Sequence, residues 1–249
     1  MLDKIIIEDV LFLDIETVPQ YADFQSMNET EQDLWTQKAK SLCKDEQNAE
    51  DVYQKAGIYA EFGKIVCISV GFAYSIQGNL SFRLKSCYSD DEKELLKEFT
   101  DVVYKFVRQH PQINLCAHNG KEFDFPYIAR RMLINGLVLP PILEIFGKRP
   151  WEVPFIDTME LWRFGDYKNY TSLKLLTHVF GIPSPKDDID GSQVASVYWQ
   201  EKDLQRIARY CEKDVLSIAQ LLLRYKGMDL ISPENVSSSS ILYDNNFIR

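Results

Sequence analysis

Two carboxylates, one residue apart, follow the first apolar stretch of the chain. Leu11–Leu13 leads into Asp14, Ile15 and Glu16. Residues i and i+2 of a β-strand point to the same face, so the two acidic side chains would project together. Neighbouring carboxylates repel unless a cation lies between them, and Mg²⁺ and Mn²⁺ prefer oxygen ligands. The fragment therefore indicates half of a divalent metal site, and the alternative interpretation is a strand that simply ends in polar residues.

Two more acidic residues stand out later in the chain. Asp124 follows Asn119 and Gly120 at the start of a predicted helix, where a plain N-cap is the alternative interpretation. Asp214 lies in a predicted late helix four residues after Tyr210, so the two side chains share a face. Taken singly, Asp214 fits a solvated helix and Tyr210 fits a core aromatic. These interpretations do not explain why the residues occur together with the strand carboxylates, in this order.

Composition sets the broad class of protein. The 249 residues, 45% hydrophobic and 26% charged, are typical of a globular chain with one large or two small domains. No apolar run approaches the ~20 residues that span a bilayer, and no signal peptide is evident, so we expect a cytoplasmic protein without membrane contact. Five scattered cysteines without a CxxC pair predict reduced thiols. A net charge of −9 argues against coating nucleic acid by charge alone.

The order of predicted elements indicates an α/β fold with a mixed β-sheet flanked by helices. The first strand is predicted from Ile5, with an interruption at Glu8 and Asp9, and a helical insertion at 20–56 follows it. A single domain is predicted at 1–228 and a flexible C-terminal tail at 229–249. The other predicted elements are a hairpin at 65–88 turning at 77–79, a helix at 92–110, a strand at 113–117, a helix at 127–134, a strand or helix start at 155–158, and helices at 173–180 and 204–225.

Three motifs together resemble the DEDD superfamily of 3′–5′ exonucleases, whose members share a ribonuclease-H-like fold. They are Leu13–Thr17, His118–Tyr127 and Tyr210–Asp214. The second is most similar to the proofreading exonuclease domains of family B DNA polymerases and to stand-alone bacterial exonucleases related to them. One branch of the superfamily has His five residues before the last Asp, where this chain has Arg209. Tyrosine at position 210 instead resembles the tyrosine branch, called DEDDy.

The resemblance implies a two-metal phosphodiester hydrolase. Asp14, Glu16, Asp124 and Asp214 would hold two divalent ions, Mg²⁺ or Mn²⁺, with Asp14 bridging both. Tyr210 would orient the attacking water, because an unperturbed phenol is too weak an acid to be a good base near neutral pH. The product would be a nucleoside 5′-monophosphate released from a 3′ end.

The resemblance also suggests residues that contact substrate. Thr17 and Val18, in a loop after the first motif, would contact the terminal nucleotide, and Asn119 and Phe123 would hold or stack on the 3′-terminal nucleotides. Stacking on an aromatic ring is worth roughly 1–3 kcal/mol per base and tolerates any sequence. For Phe123, core packing is an equal alternative. For Asp157, a helix cap is favoured over a fifth place in the acidic site.

The resulting prediction is a metal-dependent 3′–5′ exonuclease on single-stranded DNA, in DNA repair or proofreading. An exoribonuclease or oligonucleotide-degrading enzyme is the first alternative, because no residue in the sequence can be identified as one that recognises the 2′-hydroxyl group, which distinguishes RNA from DNA. A catalytically silent nucleic-acid-binding module ranks lower, because all four acidic residues and Tyr210 are present. Too few residues follow Asp214 for a polymerase domain in this chain, so we expect any polymerase or repair factor to be a separate partner.

Overall fold

A six-stranded mixed sheet lies at the centre of the computed structural model, which describes residues 2–166, 168, 170–183 and 189–240. The strands are β1 Val10–Pro19, β2 Gly63–Ile76, β3 Asn79–Tyr88, β4 Asn114–Ala117, β5 Phe155–Asp157 and β6 Val236–Ser238. Their order is β5-β4-β1-β2-β3-β6. β2 runs antiparallel to β1 and β3, whereas the β1–β4, β4–β5 and β3–β6 pairs are parallel. The predicted α/β class with a mixed sheet is confirmed.

Helices cover both faces of this sheet. The α-helices among the described residues are α1 Glu29–Ala39, α2 Glu92–Gln109, α3 Asp124–Ile134, α4 Thr158–Arg163, α5 Leu173–Val179, α6 Val194–Ser196 and α7 Leu204–Tyr225. α2 and α3 pack on one face, and α7 packs on the other through side chains such as Val215 and Leu222. Asp203 caps the first turn of α7 through the Arg206 N–H, and the predicted bounds 204–225 are confirmed. Each described helix lacks the length or the apolarity that a membrane-spanning helix needs.

The predicted hairpin and the predicted helical insertion are both present. Gln77 and Gly78 have φ of 50° and 84°, the left-handed conformation of a tight turn between β2 and β3. Within 20–56, Asn28 and Glu31 form a capping box at the start of α1. Trp35 is fully buried there and donates a hydrogen bond from Nε1 to the Ala49 carbonyl at 2.8 Å. The insertion therefore has a small core of its own.

The first strand differs from its prediction at both ends. It begins at Val10, because Ile7–Asp9 forms a 3-10 turn and the Asp9 carboxylate contacts His110 Nδ1 at 2.9 Å. It also continues to Pro19, so Thr17 and Val18 lie in a strand and the prediction of a loop there is wrong.

The segment after α7 is packed where the structure describes it. β6 pairs with β3, and the Gln220 side chain bonds both the N–H and the carbonyl of Ile231, at 3.0 and 2.8 Å. A flexible tail was predicted at 229–249, but residues 229–240 are packed, because polar groups of this segment form hydrogen bonds with β3 and α7. Residues 241–249 lie outside the described residues.

Candidate active site

β1 brings the first two carboxylates together. One oxygen of Asp14, one oxygen of Glu16 and the Cys211 sulfur lie within 4.8 Å of one another. Glu16 is only 7% exposed, and Asp14 is half-buried. The pairing of β1 with β2 shifts register immediately after Glu16, which marks a bulge. Bulges of this kind often redirect side chains next to active sites.

Asp124 joins these carboxylates from the start of α3. β4 pairs with β1 only as far as Phe12, and beyond that point Asp124 Oδ1 accepts the N–H of Ile15 at 3.2 Å. Asp124 is the first residue of α3, and Phe123 occupies the N-cap position without a side-chain cap. The N-cap interpretation of Asp124 is therefore wrong, because its carboxylate reaches across to β1.

α7 supplies the remaining two side chains of the predicted site. Tyr210 and Asp214 share one face of the helix, and their side chains are hydrogen-bonded to each other. Cys211, between them in the sequence, donates its thiol to the Asp14 carbonyl at 3.3 Å and lies 3.5 Å from Asp14 Oδ2. The Cys211 thiol thus joins α7 to β1 within the site.

One cavity of about 880 Å³ gathers most of the predicted residues. Its walls include Asp14, Glu16, Asn119, Phe123, Asp124, Tyr210 and Asp214. Thr17 and Val18 do not line it. Val18 is fully buried and packs in a separate apolar cluster with Val66 and Val194, so its side chain does not reach the cavity.

Burial and mutual repulsion raise the pKa of Asp14, Glu16 and Asp124. The pKa of Asp14 lies well above its usual range because of burial first, and then because of Asp124 and Asp214. Burial also raises the pKa of Glu16, with Asp14 and Asp214 adding to it. Burial raises the pKa of Asp124 to about 7, although the bond from the Ile15 N–H opposes the shift. Four acidic groups so close together favour a bound cation over four free charges.

The second motif is held in place by Asp157. Its carboxylate accepts the N–H groups of Asn119 and Lys121, both at 3.0 Å, and also caps α4 through Met159 and Glu160. The helix-cap interpretation of Asp157 is confirmed. The backbone of Asn119 is left-handed, with φ of 62°, and its Oδ1 is buried without a hydrogen-bond partner among the described residues. This amide oxygen is available to a ligand in the cavity that Asn119 lines.

Phe123 and His118 both line the cavity, and both also make contacts that hold the fold together. Phe123 packs partly against the core and against the Tyr127 ring, with centroids 5.3 Å apart, yet it also lines the cavity. His118 Nε2 donates to the Thr171 carbonyl at 2.8 Å, and its Nδ1 lies 2.9 Å from Thr158 Oγ1. Burial lowers the pKa of His118. A neutral His118 thus ties the segment before α5 to the second motif.

The structure adds cavity residues that the sequence analysis did not predict. They include Tyr170, Ser172, Lys174 and His178. The spacing of Lys174 and His178 places both on one face of α5, which is the only sequence signal that could have paired them. For Tyr170 no such signal exists, because it lies in a loop. Burial and the nearby Asp124, Asp14 and Asp214 raise the pKa of its hydroxyl.

Comparison of the chain with known protein families identifies the family to which it belongs. A family described as predicted 3′–5′ exonucleases related to the exonuclease domain of PolB matches residues 58–239. The chain belongs to this family. The match contains the second and third motifs of this chain. Asp14 and Glu16 precede the matched residues, and the structure places them in the same cavity.

Two curated proteins that are similar to this chain are DNA polymerases. The polymerase of Desulfurococcus sp. (strain Tok) is 26% identical over 142 residues, which is 52% of this chain and 18% of the polymerase. That of Pyrococcus glycovorans is 24% identical over 139 residues, 49% of this chain and 17% of the polymerase. The chain spans less than a fifth of these curated relatives. The family B DNA polymerase structure from Pyrobaculum calidifontis aligns with 87% of this chain and 24% of its own, at 16% identity and a TM-score of 0.49.

Proposed function

We propose that this chain is a metal-dependent 3′–5′ exonuclease that degrades single-stranded DNA to nucleoside 5′-monophosphates, in DNA repair or proofreading. One observation carries the proposal: three separate elements bring four carboxylates and Tyr210 into one cavity. Family membership supports the reaction class. The catalytic unit would be a domain at 1–228 with its insertion at 20–56, and the packed segment up to Ser240 would support it.

The donor set fits hard divalent cations. Each of the four acids offers carboxylate oxygens, which Mg²⁺ and Mn²⁺ prefer. The pKa values of Asp14, Glu16 and Asp124 are raised by burial first and then by neighbouring carboxylates, whose repulsion a cation would relieve. Asp14, Glu16 and Asp214 would hold one ion, and Asp14 with Asp124 would hold the second. When bound, such a pair lowers the pKa of a water molecule and neutralises charge that develops on the phosphate.

Tyr210 would position the attacking water without taking its proton. Burial, Asp214 and Glu16 raise the pKa of the Tyr210 hydroxyl far above neutrality, so it stays protonated. If its proton is donated to Asp214, the lone pairs of the hydroxyl oxygen face the cavity as acceptors. A water molecule that donates to this oxygen would be held at a fixed angle to the phosphorus atom, which favours in-line attack.

Asn119 and Phe123 would hold the 3′-terminal nucleotide. The buried Asn119 Oδ1 has no hydrogen-bond partner among the described residues, and a donor on the nucleotide would supply one. The Phe123 ring, which is only partly buried, offers a face to a base. The cavity volume of about 880 Å³ suits a ligand of nucleotide size or larger.

Digestion of 5′-labelled single-stranded DNA with Mn²⁺ or Mg²⁺ tests the proposal. We expect a descending ladder of labelled fragments, abolished by EDTA and by Asp14→Asn, a substitution that keeps the side-chain shape but removes the charge. A matched RNA strand ranks the two substrates. Folded wild-type protein that leaves DNA intact but shortens RNA would replace the DNA proposal with the exoribonuclease, and protein that binds without cleaving would favour the binding module.

A further inference from the structure

Glu212 is a buried carboxyl group on α7 that the proposed reaction does not use. It is fully buried, two residues after Tyr210 and two before Asp214. Residues two apart on an α-helix project about 200° from each other, whereas Tyr210 and Asp214, four apart, project only about 40° apart. Glu212 therefore points away from the cavity while the two site residues point towards it.

Two serine hydroxyls of the sheet donate hydrogen bonds to the Glu212 carboxyl group. Its Oε1 accepts the hydroxyl of Ser86 on β3 at 2.8 Å and the hydroxyl of Ser238 on β6 at 3.0 Å. Ser86 is fixed in turn, because its N–H donates to Ser240 Oγ at 2.9 Å and its hydroxyl oxygen lies 2.8 Å from Ser69 Oγ on β2. The carboxyl group thus joins α7 directly to β3 and β6, and through Ser86 to β2.

This polar chain continues towards the site. Ser86 gives its proton to Glu212, so Ser69 donates to Ser86, and the Cys67 sulfur lies 3.6 Å from Ser69 Oγ. Cys67 lies opposite Glu16 in the pairing of β1 with β2. The contacts therefore run from the C-terminal strand, through Glu212, to the strand pair that carries the first motif.

We propose that Glu212 is a positioning residue that fixes the rotation of α7 about its own axis, and thereby the placement of Tyr210 and Asp214. This inference rests on the proposed function of the site. An apolar side chain would pack on the sheet at lower desolvation cost, but it would not fix one rotation as a carboxylate with two directional donors does. Side chains extend about 5–6 Å from a helix axis, so a rotation of about 10° moves the Asp214 carboxylate by about 1 Å.

A matched pair of variants tests this role. Glu212→Leu removes the acceptor, and Gln220→Leu removes another buried polar side chain of α7, one that holds Ile231 and lies more than a turn beyond Asp214. We expect Glu212→Leu to lower kcat about tenfold to a hundredfold, the scale of a displacement of about 1 Å. It should also raise the half-activating Mn²⁺ concentration severalfold. Gln220→Leu should lower the melting temperature but leave the metal dependence unchanged.

The conservative variant separates positioning from charge. Glu212→Gln keeps an oxygen acceptor for Ser86 and Ser238, so its kcat and its Mn²⁺ dependence should stay within about twofold of wild type.

Equal effects of Glu212→Leu and Gln220→Leu on metal dependence would overturn the proposal. If Glu212→Leu does not fold, Ser238→Ala removes one of the two donors. A smaller rise in the half-activating Mn²⁺ concentration would then support the role, and no rise would overturn it.

Calorimetric titration with Mn²⁺ keeps this inference separate from the proposed function. Wild-type protein that binds Mn²⁺ but cleaves no nucleic acid would contradict the exonuclease, while weaker Mn²⁺ binding in Glu212→Leu alone would still support positioning. Active wild-type protein with unchanged binding and activity in Glu212→Leu would overturn only the positioning role. Wild-type protein that neither binds Mn²⁺ nor cleaves would overturn both.

Discussion

At the scale of single residues, the role that we propose for Tyr210 depends on its hydroxyl group. Burial and the adjacent carboxylates hold its pKa far above neutrality, and its side chain bonds Asp214. It can therefore hold a water molecule but not act as a base at neutral pH. Orientation by a fixed hydroxyl is the contribution that remains to it.

We predict that Tyr210→Phe lowers kcat about a hundredfold, the scale of misplacing a reacting group by about 1 Å. Affinity for Mn²⁺ should change little, because the four carboxylates remain. Rate measurements from pH 6 to 9 should show the same profile shape in both proteins. A pH inflection that disappears with the hydroxyl would instead make Tyr210 a base.

Removing the Asn119 side chain should weaken substrate binding without destabilising the fold. Asn119→Gly suits the test because glycine tolerates the left-handed φ of 62°, and the removed Oδ1 has no described partner to lose. Loss of one hydrogen bond of about 1 kcal/mol corresponds to a rise in KM of about fivefold. Steady-state kinetics and thermal melting check both expectations. A large drop in melting temperature with unchanged KM would assign Asn119 a structural role only.

Residue types and spacing were sufficient to predict that Asp14 and Glu16 share a strand face and that Tyr210 and Asp214 share a helix face. That these pairs meet with Asp124 was predicted only by the resemblance to a known family. Residue types and spacing were not sufficient for Val18 or Asp124. Whether a side chain after the bulge is buried, and whether an Asp at a helix start caps that helix, depends on neighbours far away in the sequence. Val18 packs on Val194, and Asp124 bonds Ile15.

At the scale of elements, α5 adds a positive side chain to an otherwise acidic cavity. Lys174 and His178 share the helix face that lines it, and the bond from His118 to Thr171 fixes the segment just before the helix. An ammonium group in the same cavity as the proposed metal ligands suits a phosphate of the nucleotide strand better than a metal ion.

Lys174→Ala should therefore weaken binding of longer strands most. We expect KM for an oligonucleotide to rise severalfold and to depend less steeply on salt concentration, since one phosphate contact is lost. Lys97→Ala provides the control, because Lys97 is an exposed lysine on α2 that does not line the cavity. KM should be measured at several salt concentrations. The same small change in both variants would show that Lys174 contributes only general surface charge.

Long elements were predictable because their own sequence defines them. α7 has apolar side chains at helical spacing over six turns, and Asp203 caps its start. β5 and β6 have three residues each, and both are edge strands whose existence depends on pairing with β4 and β3. The serine-rich segment before residue 240 looked like a tail for the same reason: its partners Ser86 and Glu212 lie far away in the sequence.

At the scale of the whole molecule, the acidic site makes stability depend on pH and metal. The pKa of Asp124 is raised to about 7 in the fold, and that of Glu212 also to about 7, both through burial. In the unfolded state these carboxyl groups ionise near pH 4, whereas in the fold they ionise near pH 7. Between about pH 4 and pH 7 the folded state therefore binds more protons than the unfolded state. The stabilising contribution of these groups is present at low pH and is lost as pH rises towards 7.

We predict that Asp124→Asn raises the melting temperature of the metal-free protein at pH 8 but has little effect at pH 5.5. The neutral amide relieves repulsion that exists only when the carboxylates are ionised. Mn²⁺ should stabilise wild type more at pH 8 than at pH 5.5, because it binds the ionised carboxylates. Thermal melting in EDTA and in Mn²⁺ checks this. A larger benefit of Mn²⁺ at pH 5.5 would contradict it.

The most direct test of the central claim is the product of one turnover in H₂¹⁸O. Single-stranded DNA, Mn²⁺ and excess enzyme are mixed in labelled water, and the released products are analysed by mass spectrometry, with Asp14→Asn as the control. We predict nucleoside 5′-monophosphate from the 3′ end with one ¹⁸O on its phosphate, and no product from the variant. Nucleoside 3′-phosphates, internal fragments or unlabelled monophosphate would contradict attack by a metal-bound water at the 3′-terminal phosphodiester.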